Sequence, residues 1–306
     1  MGIRLTSRAI GNLLLLLTAF IWGAAFVAQR VGMTHLGPFA FNGLRSLVAG
    51  VVLLPVWWGF RRFRQARGES VAAGGWRKLA VAGLICGTCL FAASSAQQIG
   101  LMTASASHGG FITALYILIV PFLAFVGGRK VRVLHFLCAV LGCVGLWFLC
   151  AMDGLSTIGR GDWWLLACAV IFSLHILAVA RYALEVDPVA LAALQFLVVG
   201  VFSLPVIPFE PQLFGSPACS LAGVREALVP FLYAALGSSA VGYTLQIIAQ
   251  RYTEPTVASL LMCLESVFAA LVGCFFGERL TGSEILGCAL MFAAILLAQV
   301  PERRRK

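Results

Sequence analysis

Ten apolar runs, each about as long as a bilayer is thick, leave this chain little choice of fold. They fall near residues 10–30, 38–58, 78–100, 105–126, 132–151, 162–181, 188–208, 227–250, 256–276 and 281–300, joined mostly by short polar turns. About 20 residues at 1.5 Å per residue cover a hydrocarbon core of ~30 Å. No water is present there to satisfy the backbone, so each run is expected to be a helix. The alternating ten-residue strands of a membrane barrel are absent. Composition agrees: 61% of residues are hydrophobic and 11% charged, where soluble domains carry about 25% charged residues. The mean hydropathy is +0.97. The expected fold class is an all-α integral membrane protein with ten transmembrane helices.

The formal charge of +10 does not point to nucleic acid, because the basic residues lie between apolar runs rather than along one face. With the N-terminus in the cytoplasm, cytoplasmic segments hold 17 of the 22 Lys and Arg residues, outside loops hold Arg30, Arg160, Arg225 and Arg279, and Arg45 lies inside a span. That bias places both termini in the cytoplasm. Arg4 and Arg8 precede a first run too long for a signal-peptide core, so it is read as an uncleaved span. Nine of the ten cysteines lie in apolar runs, where they pack as small hydrophobes. Cys86 and Cys89 have CxxC spacing, yet no second pair or nearby His completes a metal site, and no disulfide framework is indicated.

The chain also repeats itself. Shifted by 150 residues, positions 11–56 show 16 identities in 46, among them Gly11 on Gly161, Pro38 on Pro188, Gly50 on Gly200 and Pro55 on Pro205. The later half matches more sparsely, with Gly87 on Gly237, Thr103 on Thr253 and Gly127 on Gly277. The two units are residues 1–151 and 152–306, each with five runs. An odd number of spans turns the second copy upside down relative to the first. Such inverted repeats hold a substrate site between them near the midplane.

The stretch Thr253–Thr281 stands out within this frame. After Glu254-Pro255 comes an apolar run with one carboxylate, Glu265, in its middle and the polar turn Gly277-Glu278-Arg279 at its end. A charge at that depth costs roughly 2.5–3.5 kcal/mol on insertion scales, so it marks a partner or a cavity. This ending, together with Trp22-Gly23, the segment Pro38–Arg45, and Gly100-Leu101 through Phe111-Ile112-Thr113, Tyr116 and Pro121, resembles the EamA-like family of drug/metabolite transporters. The resemblance covers nearly the whole chain. It implies ten helices in two inverted five-helix halves, cytoplasmic termini in the plasma (inner) membrane, and movement of small metabolites or amino acids, usually outward. One departure is Ser266, where the family commonly has Pro after the glutamate; its loss is expected to remove a kink from the ninth span.

The polar and aromatic residues inside the runs are the candidate substrate-binding set. Glu265 could bind a cationic group or carry a coupling proton; the plainer alternative is a carboxylate that only stabilises the fold. Arg45 could hold a substrate carboxylate, pair with Glu265, snorkel to the interface or cap carbonyls. Gln97 and Gln98 in the third run, beside Ser94 and Ser95, and Gln246 in the eighth could bind a zwitterion or bond between helices. His175 could protonate near neutral pH or simply be hydrogen-bonded, and His108 is a weaker candidate. Trp22, Tyr116 and Tyr243 could line a cavity or only pack. Trp57, Trp58, Trp163 and Trp164 read as interfacial anchors, and Arg61–Arg67 as a solvated loop.

Three functions compete. A secondary transporter uses the repeat and the buried polar residues, with a small-molecule substrate, the bilayer and protons as partners, as a monomer or homodimer. An intramembrane enzyme finds no support: Gly237-Ser238-Ser239-Ala240 lacks the second Gly of a nucleophile motif and no HExxH occurs. A lipid flippase could use the same fold. No Gly-rich phosphate loop exists for ATP, and no cofactor or metal is implied. The expected protein is an exporter alternating access around a midplane cavity lined by spans one, three, four, six, eight and nine.

Overall fold

The computed structural model describes residues 7–67, 75–104, 106–150, 159–275 and 280–300. Among them no strand occurs. The helices are α1 (Ser7–Gly32), α2 (Pro38–Ala66), α3 (Gly75–Leu101), α4 (Ala106–Ala114), α5 (Tyr116–Val126), α6 (Val133–Cys150), α7 (Arg160–Tyr182) and α8 (Pro188–Ser203). Short helices α9 (Glu210–Phe214), α10 (Leu221–Glu226) and α11 (Leu228–Leu232) follow, then a π-helix (Tyr233–Tyr243) running into α12 (Thr244–Ala249). The described chain closes with α13 (Pro255–Met262), α14 (Glu265–Phe275) and α15 (Gly282–Ala298). Among the described residues, six helical stretches are long and apolar enough to cross a membrane, and the bent pair Pro188–Ser203 and Ile207–Phe214 makes a seventh. Three shorter apolar helices coincide with the fifth, ninth and tenth runs.

The polarity of the bundle is reversed relative to a soluble protein. Large apolar side chains such as Leu13, Phe20, Val27, Phe122, Trp147 and Leu296 face outward, while Thr18, Gln29, Asn42, Arg45, Gln98, His175, Gln195 and Glu265 are buried. Buried apolar residues form one cluster chiefly from α1, α4–α6 and α13–α15, and a second from α2, α3, α7, α8 and the π-helix region. Glycines set the closest approaches. A Cβ at Gly50 would stand 2.8 Å from Leu197, and one at Gly200 would collide with Leu47. Likewise Gly11 sits on Thr253 and Gly161 on Thr103. Each contact reappears with both partners shifted by 150.

Several boundaries differ from the sequence expectation. α2 runs on to Ala66, so Arg61–Ala66 of the expected loop is helix; at 29 residues it reaches roughly 43 Å, well beyond the hydrocarbon core. Arg61 stacks on Trp57 and Arg62 on Trp58, with centroid distances of 5.7 and 5.0 Å, one helical turn apart. These i,i+4 contacts stiffen the extension. The fourth run breaks at Leu115 and the ninth at Cys263-Leu264. The ninth therefore interrupts its helix despite having Ser266 in place of Pro. Three-residue bonds from Leu264 N to Leu261 O (3.3 Å) and Ser266 N to Cys263 O (3.3 Å) tighten the turn. The side chain of His108, and the turn Gly277-Glu278-Arg279, lie outside the described residues.

The starts of α2 and α8 show how the halves complement each other. Asp187 Oδ1 accepts from the N–H groups of Val189 (3.0 Å) and Ala190 (3.1 Å), an ordinary N-cap. At the equivalent place before α2 stands Gly37, which has no side chain to offer. Glu210, fully buried, substitutes for it from the far half: its Oε2 accepts from Phe39 N (2.8 Å) and Ala40 N (3.2 Å). Glu210→Ala is expected to lower the stability of the purified protein by about 1–2 kcal/mol, as for a lost cap. Glu210→Gln, which keeps an acceptor oxygen, should lose less. Thermal unfolding in detergent checks both.

Candidate functional site

A cavity of about 40 Å³ lies among α1, α2, α3, the α4–α5 break, α7, the π-helix with α12, and the α13–α14 break. It has room for about three waters. Eight of the nine residues singled out from sequence line it: Trp22, Arg45, Gln97, Tyr116, His175, Tyr243, Gln246 and Glu265. Gln98 does not; it is fully buried behind the wall, and its Nε2 donates to Oε1 of Gln29 at 3.0 Å. Gln29 itself lines the cavity, as do Thr113, Phe172, Ser238 and Met262, none of which sequence reasoning selected. Phe172 was findable, since the 150-residue shift carries Trp22 onto it.

Glu265 opens α14 immediately after the break, where an acidic side chain suits the positive end of a helix. It is 4% exposed, and Tyr116 Oη donates to its Oε1 at 3.2 Å. Tyr116 itself opens α5 after the equivalent break, so two interrupted helices deliver this pair to the cavity. Arg45 is held from α2 by its own neighbour one turn back. Nε and Nη2 donate to Asn42 Oδ1 at 3.3 and 3.0 Å, and the Asn42 amide donates to Ser94 Oγ (2.9 Å) and Ser95 Oγ (3.4 Å) of α3. The guanidinium also stands 5.6 Å from the centre of the Phe41 ring. At 7% exposure it does not snorkel outward. Arg45 and Glu265 face one cavity but are not within ion-pair distance of each other, against the direct pairing considered from sequence.

Aromatic rings join these charges. Tyr243 packs on Trp22 (centroids 4.6 Å), Phe196 (5.3 Å) and His175 (6.0 Å). Trp22 Nε1 donates to the carbonyl of Ser238 at 3.2 Å. Ser238 and Tyr243 lie in an 11-residue π-helix, a form usually seen as a single turn and often at functional sites. Gly23, next to Trp22, lets α1 touch the break directly: a Cβ there would stand 2.7 Å from the Glu265 carbonyl oxygen. Gln97 Nε2 reaches Thr113 Oγ1 at 3.4 Å.

The Arg45–Asn42 arrangement makes a test of the site that needs no substrate. Asn42→Leu strands a buried guanidinium without its oxygen acceptor, so it should cost about 1.5–3 kcal/mol, the range for hydrogen bonds to charged groups. The double variant Asn42→Leu/Arg45→Met should recover most of that loss, because it removes the charge along with its partner. Unfolding temperatures of the two variants, measured side by side, check the order.

Known proteins are consistent with this arrangement. A model of the EamA-like transporter family matches residues 9–151 and again 159–299. An uncharacterized transporter of Archaeoglobus fulgidus is 27% identical over 297 residues, covering 96% of this chain and 87% of that one. A chloroplastic WAT1-related protein of Arabidopsis thaliana is 27% identical over 92% of this chain and 68% of its own. The threonine/homoserine exporter RhtA of Salmonella typhimurium is 28% identical over 56% of this chain and 57% of its own. A solved crystal structure shares the fold with a TM-score of 0.75 at 22% identity, covering 94% of this chain and 96% of that one. The multi-pass apolar helices, the buried polar cavity and a family match over most of its length make this chain a member of the EamA-like transporter family.

Proposed function

We propose that the protein is a secondary transporter that exports small zwitterionic metabolites, amino acids among them, across the plasma (inner) membrane. The observation that carries this reading is a buried guanidinium, Arg45, and a buried carboxyl group, Glu265, lining one cavity without pairing with each other. Each is costly in a bilayer, and a solute with a carboxylate and an ammonium supplies both missing partners. In this reading Arg45 receives the carboxylate. Glu265 receives the ammonium or a proton, so that the two compete for one carboxylate and a proton gradient can drive export. RhtA, an exporter of threonine and homoserine by its name, supports the direction and the solute class.

The transport cycle follows from the repeat. The halves 1–151 and 152–306 are proposed as inverted five-helix units, ten spans in all, with both termini cytoplasmic. The contacts Gly50–Leu197 and Gly200–Leu47, related by the same shift, support a two-fold relation between them. So do the two separate family matches. Alternating access is then a rocking of one apolar cluster against the other around the cavity between them. At about 40 Å³ that cavity is too small for an amino acid, so solute entry requires the clusters to part. Arg45, Glu265, Trp22, Gln97, Tyr116, Tyr243 and Gln246 are assigned to the substrate, with Gln98 behind them. Whether one copy or two make up the working unit does not alter this cycle.

Purified protein in proteoliposomes tests the reading with L-threonine and L-homoserine, with and without a proton gradient. Arg45→Gln should lower transport at least about tenfold, the loss expected for one charged hydrogen bond. Glu265→Gln keeps an acceptor oxygen but has no proton to exchange. It should retain weakened solute exchange and lose gradient-driven accumulation. If a folded Glu265→Gln variant accumulates solute like the wild type, Glu265 is structural. If no zwitterion moves, labelled lipids become the next cargo to test.

A further inference from the structure

His175 on α7 and Gln195 on α8 form a polar pair that the charged site does not use. Both are fully buried, and His175 lines the cavity. His175 Nε2 stands 3.1 Å from Oε1 of Gln195. An amide oxygen only accepts, so Nε2 carries the ring proton and Nδ1 presents its lone pair. Nδ1 has no hydrogen-bond partner. The rings of Phe172 and Tyr243 stand edge-on to the imidazole at 6.3 and 6.0 Å. Among the described residues no carboxylate lies within ion-pair distance of it, so the ring is carried as neutral imidazole.

The repeat shows that this pair is no by-product of the scaffold. The 150-residue shift carries Ala25 onto His175 and Arg45 onto Gln195. Where one half places a cation held by Asn42, the other places an amide whose task is to hold an imidazole. An orphaned acceptor in a buried wall is unfavourable unless something meets it, and His175 is part of the cavity wall.

We propose that Nδ1 of His175 accepts a hydrogen bond from an O–H or N–H on the side chain of the transported solute. This makes His175 a specificity residue and Gln195 the positioning residue that fixes its tautomer. The assignment rests on the zwitterion reading above and adds a third contact to it, away from the two charges. Solutes with a side-chain donor are thereby favoured over apolar ones of the same size, because a site built around a polar contact rejects the analogue that leaves it unmade.

Two measurements test it. The chain has four histidines, so nitrogen-15 NMR of histidine-labelled protein can read the His175 tautomer, assigned by the signal lost in His175→Phe. An unprotonated Nδ1 is expected, with the preference abolished in Gln195→Leu; a proton on Nδ1 in the wild type overturns the proposal. In proteoliposomes, L-homoserine is compared with its deoxy analogue L-2-aminobutyrate and with O-methyl-L-homoserine. The wild type should prefer homoserine about tenfold over both, and His175→Phe or Gln195→Leu should narrow that ratio to about twofold. Equal transport of all three, or preference for the methyl ether, overturns the assignment while leaving the zwitterion reading intact. If none of the three moves, the zwitterion reading fails and this one falls with it.

Discussion

The structure is governed by the absence of water around it. A polar group on a bilayer-spanning helix has two places to go, a hydrogen-bond partner within the protein or a cavity. Thr18, Ser94, Ser173, Ser203 and Ser259 take the first course at its simplest, donating to a carbonyl one turn back. Asn42 uses its whole amide, oxygen to Arg45 and nitrogen to two serines of α3. Much of what these local solutions do not absorb, His175, Gln246 and Glu265 among it, collects around the cavity.

Polar contacts tie α2 to the bent pair of α8 and α9 at both ends. At one end Glu210 completes the start of α2, and at the other Arg64 bonds Asp187 at 3.0 Å while Asp187 caps α8. Breaking either clamp would strand backbone N–H groups as well as a charge. The breaks at Leu115 and Cys263-Leu264, the π-helix and α1 around Gly23 all border the cavity. An interrupted helix can change direction at its break without unravelling either half.

Much of this was legible in the sequence because the relevant signals are compositional. Apolar runs of bilayer length fix helices, and polar residues inside them stand out, so eight of nine chosen residues do border one cavity. Gln98 shows the limit: next to Gln97 in sequence, it points about 100° away around the helix and meets Gln29 instead. Thr113, Ser238 and Phe172 carry no mark of their own, since a small hydroxyl or one more aromatic is ordinary in such runs. The break before Glu265 was invisible for a different reason. Proline is the readable cause of a kink, and here the turn at Cys263 and Leu264 is closed by local three-residue backbone bonds. The helical extension through Arg61 and Arg62 was read as loop because charge suggests solvent, which a helix longer than the bilayer also reaches.

The two halves of the chain agree in their scaffold and differ at the cavity. Scaffold contacts repeat under the 150-residue shift: glycine on leucine between α2 and α8, glycine on threonine at Gly11 and Gly161. The aromatic pair Trp22 and Phe172 also repeats at the cavity, but the charged and imidazole positions there do not. Arg45 answers to Gln195, His175 to Ala25, Glu265 to Leu115, and Tyr116 to Ser266. A cavity on a two-fold axis with matching walls would offer identical groups on both sides and could not tell the two ends of a solute apart. Substituting the wall while keeping the packing gives one side a cation, the other a neutral acceptor pair, and a single carboxylate at one of two equivalent helix breaks. Under the proposed function, that division of the sequence, repeated geometry in the scaffold and divergent chemistry at the cavity, is what would let a repeated fold hold an asymmetric solute in one orientation.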